Sequence, residues 1–127
     1  MKSLQLAGAR VWLLDSVTEG GFEQTGAVVV TGSHGGLSAA RYAAVYRPAL
    51  VVFNDAGIGK DEAGVAGLVL LEREGIAGLA VDAMSARIGE AADTWAGGVI
   101  SRINAPTRAL GFRTGERLSE ALVAYLQ

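Results

Sequence analysis

The chain has 127 residues, of which 50% are hydrophobic and 19% charged, a balance that excludes intrinsic disorder and fits a single α/β domain over residues 1–127. Eleven basic and 13 acidic residues leave a formal charge of −2, without the basic excess that a nucleic-acid or anionic-membrane partner calls for. There is no cysteine, so a disulfide framework, thiol catalysis and cysteine-held metal centres are excluded.

From Met1 to Gly8 no unbroken apolar stretch reads as a signal peptide, and a cytoplasmic protein is the default expectation. Leu4 and Leu6 alternate with polar residues as in an edge strand. Val11-Trp12-Leu13-Leu14 is a short apolar strand ending at Asp15, and Ser16 to Gly26 reads as loop or short irregular helix. Ala27 to Thr31 is β-branched and continuously apolar, the pattern of a strand covered on both faces, and Gly32 is expected to stop it. Leu37 to Tyr46 reads as a helix that Pro48 prevents from continuing.

Ala49 to Phe53 repeats the buried-strand pattern. A helix is then predicted from Asp61, its candidate N-cap, to Glu74, with Gly75 as the terminating glycine. Ile76 to Val81 is the next strand. Trp95, Val99 and Ile103 have helical spacing and predict a helix from Ala92 to Asn104, restarted at Pro106. Leu118, Leu122 and Leu126 mark the apolar face of a last helix, with Thr114 as its candidate cap.

Strands alternating with helices argue for a three-layer α/β sandwich around a mostly parallel, flavodoxin-like or Rossmann-like open sheet of four to five strands. In such sheets, ligands collect outside the carboxyl ends of the strands. Thr31-Gly32-Ser33-His34-Gly35-Gly36 links a strand to a helix. Ser33, Gly35 and Gly36 are expected to bind a small anionic ligand, with backbone N–H groups at the helix start as donors. His34 is the sole histidine and the expected proton-transfer group. The alternative is a tight turn with His34 hydrogen-bonded locally.

In the next loop, Asn54, Gly57 and Lys60 are candidate ligand contacts and Asp55 a candidate catalytic acid or base. Asn54 to Gly59 resembles, over about six residues, the Asn-Asp-Asp-Gly start of the survival-protein nucleotidases, which are metal-dependent phosphatases. Ala56 stands where their second metal-binding acid would be, and the segment follows an internal strand, so no family is assigned on it. In the third loop, Asp82 is the other candidate acid or base, with Ser85 and Arg87 as ligand contacts; an Asp82–Arg87 ion pair shaping the loop is the structural alternative. Asp15, Asp55, Asp61 and Asp82 have no ligand spacing characteristic of a metal, and neither metal nor cofactor is expected.

These readings point to a hydrolase, lyase or isomerase acting on a small carboxylate, amide or related anion, with no metal and with His34 in acid–base work. A non-catalytic small-anion binding or regulatory module and an oligomeric interaction subunit are the alternatives. Gly64 with Gly67 and Gly97 with Gly98 offer close helix contact, and a homo-oligomer is expected.

Overall fold

The computed structural model describes all 127 residues. Six strands form one sheet in the order β1-β2-β3-β4-β5-β6. They are β1 (Lys2–Leu6), β2 (Ala9–Leu14), β3 (Val28–His34), β4 (Leu50–Asn54), β5 (Ala77–Val81) and β6 (Ile100–Ile103). The helices are α1 (Leu37–Tyr46), α2 (Gly67–Arg73), α3 (Ala91–Gly97), α4 (Ala105–Ala109) and α5 (Leu118–Leu126). Strands β2 to β5 are mutually parallel; β1 and β6 pair antiparallel at the two edges. The sheet therefore has six strands rather than four or five.

The predicted neighbours β3, β4 and β5 lie side by side and parallel, with Val28, Val29 and Val30 opposite Leu50, Val51 and Val52, and these opposite Ala77, Gly78 and Leu79. Each strand sits beside its predecessor, without the reversal of order that creates the crevice of doubly wound sheets. Right-handed crossovers that always step the same way leave their helices on the same face. Accordingly α1 and α2 share one core with Trp12, Leu14, Val29, Val51 and Phe53. The opposite face, with Val28, Val30, Leu50, Val52 and Leu79, packs against Leu118 and Leu122 of α5 and Trp95 of α3.

Local chemistry explains where the elements stop. Ala7 and Gly8 at φ 50° and 81° make the two-residue hairpin between β1 and β2. Gly75, at φ 73°, ends α2: its N–H donates to the Glu72 carbonyl and that of Ile76 to the Leu71 carbonyl, a Schellman closure sealed by Leu71 and Ile76 in the same core. Gly32 does not stop β3, which bulges past it to His34.

Two helix predictions are corrected. Residues 60–62 form a single 3-10 turn with Asp61 and Glu62 at φ 56°, outside right-handed helix, so α2 begins only at Gly67 and Asp61 caps nothing. The segment Ala92 to Asn104 divides into α3 and β6, because Gly98 turns extended (φ −60°, ψ 134°) and the β-branched residues beyond it join the sheet. Thr114 does not cap the last helix: α5 starts after Arg117, without a side-chain cap, whereas Asn104 caps α4 by accepting from the Thr107 N–H. The glycines read as oligomer contacts serve the chain itself: a Cβ on Gly67 would strike the Gly36 carbonyl and Ala40, and one on Gly98 the Thr94 carbonyl. No helix is long and apolar enough to cross a membrane.

Tyr46, on α1, fastens the Ser16–Gly26 loop to this frame by donating to the Val17 carbonyl at 3.2 Å. Burial, then the nearby Tyr42, pushes its phenol from 10.0 up to about 12. Between those values the unfolded chain gives up a proton that the folded chain keeps, so stability falls as pH rises through this window, by up to about 2 kcal/mol. Alkaline unfolding curves of wild type and Tyr46→Phe should diverge in slope there; parallel curves would refute the assignment.

Candidate functional site

The ends of β3, β4 and β5 bring the three loops singled out in the sequence to one edge of the sheet. His34 is the register partner of Asn54, and Asn54 of Val81, with about 4.8 Å between neighbouring strands. An open cleft of about 540 Å³ lies between the loops after β4 and β5. Asn54 and Ala56 line it from one side, and Ala86, Arg87, Ile88 and Glu90 from the other. Residues 33–36 do not line it; they stand one strand away.

Most of the candidate polar groups hold the edge together. Asn54 is buried, accepts from the Ala56 N–H at 2.8 Å and donates to the Ala86 carbonyl at 3.0 Å, so it spans the cleft's floor. Asp55 is 3% exposed and turned inward. Its Oδ1 accepts from the N–H groups of Gly57 (2.8 Å) and Ala83 (2.9 Å), and its Oδ2 from the Ser101 hydroxyl (2.7 Å). One carboxylate thus joins β4, the loop after β5, and β6.

The Ser33 hydroxyl accepts from the Val17 N–H at 2.9 Å. Gly35 donates its N–H to the carbonyls of Asn54 and Gly64, and Gly36 donates to Nδ1 of His34 at 3.0 Å. The backbone donors expected from these two glycines are therefore engaged within the fold. The unengaged N–H groups lie just beyond, in the first turn of α1. His34 itself is exposed, and with Nδ1 accepting, its ring proton sits on Nε2.

Asp82 is half-buried; its Oδ1 accepts from the Met84 N–H, and its other oxygen has no protein partner. Ser85 donates to the Asp82 carbonyl at 2.6 Å and accepts from the Val99 N–H at 3.0 Å. No Asp82–Arg87 ion pair forms. Arg87 uses its backbone N–H on Asp93 Oδ2 (2.7 Å), while its guanidinium is exposed and without hydrogen bond or ion pair. Lys60 is likewise exposed and unpaired. No three of the His, Asp and Glu side chains gather where they could hold a metal ion.

The loop after β4 is strained. Ala56, Gly57, Ile58 and Gly59 take φ of 53°, 75°, 67° and 70° in succession. For a β-branched residue this is a genuine outlier, costing of order 1–3 kcal/mol. It persists because Ile58 is clamped: its N–H donates to the Asp55 carbonyl at 2.7 Å, its carbonyl accepts from Gly64, and its side chain packs on the core. Such strain gathers at sites where a ligand is held.

Sequence reasoning missed Glu90 and Ser101 as parts of this edge. Asp15, expected at the end of its strand on this edge, accepts from the Ala91 N–H at 2.9 Å and anchors the start of α3. Glu90 and Gly89 abut Gly32, whose missing Cβ leaves room for their backbone, and Gly89 donates to the Gly32 carbonyl at 2.7 Å. The groove between α2 and β6, about 350 Å³, holds Arg102 already paired with Glu62, whereas Arg87 is free. Compared with known protein families, curated proteins and solved structures, the chain matches none.

Proposed function

We propose that this chain is a small-molecule enzyme, a hydrolase, lyase or isomerase acting on a small carboxylate, amide or related anion at the carboxyl edge of its parallel strands. The observation that supports this best is the unpaired Arg87 guanidinium in an open cleft, one strand away from an exposed imidazole. Arg87 anchors the anion through a two-pronged, charge-assisted contact. His34 offers the proton on Nε2 to the reacting group. Asp82, at the end of β5, is the second acid or base, acting on the ligand directly through the oxygen that has no other bond, since both oxygens of Asp55 are taken. Asn54, Asp55, Ser85 and Gly57 position the loops, and Lys60 adds a cation beside the strained turn.

Helices on both faces of the sheet favour the three-layer sandwich, with the cleft formed by loop projection rather than by a reversal of strand order. Exposed Phe22, Tyr42 and Val45 favour a homo-oligomer. A non-catalytic small-anion binding module is the second reading, favoured by the number of edge side chains whose polar atoms are already engaged within the protein.

The test is a product screen by mass spectrometry with small carboxylates and amides. Arg87→Gln should raise KM about 10–100-fold with little change in kcat and an unaltered circular dichroism spectrum. Stabilisation by a carboxylate without any turnover would leave the binding module as the correct reading. An Arg87→Gln protein with wild-type KM would remove the anchor from the argument altogether.

A further inference from the structure

The cleft contains a second unsatisfied charge. Glu90 lines it together with Arg87, three residues away, yet the two side chains form no ion pair and neither has another hydrogen-bonded partner. Charges this close in sequence, both exposed, ordinarily have the freedom to meet. Here the backbone between them is pinned. Gly89 turns at φ 87° and donates to the Gly32 carbonyl; Arg87 donates its N–H to Asp93; Ala91, after Glu90, donates to Asp15. The segment is tied at three points to the ends of β2 and β3 and to α3, which leaves a cation and an anion at separate places around one void.

A simple anion bound to Arg87 would also face the Glu90 carboxylate, and a simple cation on Glu90 would face Arg87. A ligand carrying both signs satisfies both. Apart from Asn54, whose amide is engaged with Ala56 and Ala86, the rest of the wall is apolar, with Ala56, Ala83, Ala86 and Ile88, and Met84 stands 92% exposed in the same loop. We propose that the ligand of this cleft is a zwitterion, an α-amino acid with an apolar side chain or a compound bearing the same pair of groups, its carboxylate on Arg87 and its ammonium on Glu90. This rests on the reading above that the cleft takes a small anionic molecule, and it names the class.

The proposal is tested by calorimetric titration of the full chain with the common apolar α-amino acids, their N-acetyl derivatives and their amides, with succinate as a simple dianion. The free amino acid should bind at least about tenfold more tightly than either blocked form. Glu90→Gln should abolish the preference over the N-acetyl form, and Arg87→Gln the preference over the amide. Equal affinity for free and N-acetylated forms, with Glu90→Gln silent, overturns the zwitterion and leaves the anion reading standing. Binding of succinate but of no amino acid does the same. If Arg87→Gln changes nothing and none of these compounds binds, both readings fall together.

Discussion

Asp55→Ala will lower the unfolding free energy by about 3–5 kcal/mol, the largest loss expected from any single side chain at the carboxyl edge. The methyl group leaves the N–H groups of Gly57 and Ala83 and the hydroxyl of Ser101 without their acceptor, in a position that is 3% exposed. Each orphaned buried donor costs about 1–3 kcal/mol, reduced where water reaches it. Asp55→Asn is the informative contrast. Its amide oxygen still serves the two backbone donors, while the amide nitrogen faces Ser101, whose own proton has an alternative acceptor in the Ala80 carbonyl at 3.3 Å. A loss of about 1–2 kcal/mol is expected there. Chemical denaturation of both variants decides the matter: an alanine variant as stable as wild type would mean that the carboxylate ties nothing together.

His34→Ala will reduce turnover about 10²–10⁴-fold if the imidazole transfers the proton as proposed. The ring is held by one bond, from the Gly36 N–H to Nδ1, so its removal exposes a single donor at the start of α1 and leaves the strand pairing to Asn54 in place. Circular dichroism and sedimentation of the variant therefore accompany the rate measurement, with His34→Gln as a second, polar replacement. Full turnover by folded His34→Ala would falsify the catalytic assignment and put the binding module first.

The central strands were legible because Ala27–Thr31, Ala49–Phe53 and Ile76–Val81 are continuously apolar, which only a strand covered on both faces tolerates. From them followed the shared edge and the placement of Asn54, Asp82 and Arg87 beside it. Strand β6 escaped notice because Trp95, Val99 and Ile103 happen to share helical spacing, while the break at Gly97-Gly98 read as a packing face. Ser101 was hidden inside that misread helix, and with it the third bond to Asp55. Glu90 was hidden for another reason: it reaches the cleft only because the Gly89 turn, docked on Gly32, swings it there. Which polar groups are engaged and which are free depends on partners distant in sequence, so Arg87 and Asp55 look alike as candidates until the chain is folded.

The unreversed strand order also governs how the molecule can be assembled. Every strand pairs with the one synthesised just before it, so the sheet can lengthen in step with the chain, each addition closing only a short loop. The two cores do not keep pace with one another. The side carrying Val29, Val51 and Phe53 is covered as soon as α1 and α2 exist, whereas Val28, Val30, Leu50 and Val52 wait for Leu118 and Leu122 near the end of the chain. A chain lacking α5 thus presents a sheet whose second side is covered only in part, by α3, and α5 is the cover that keeps that apolar side from other copies of the chain.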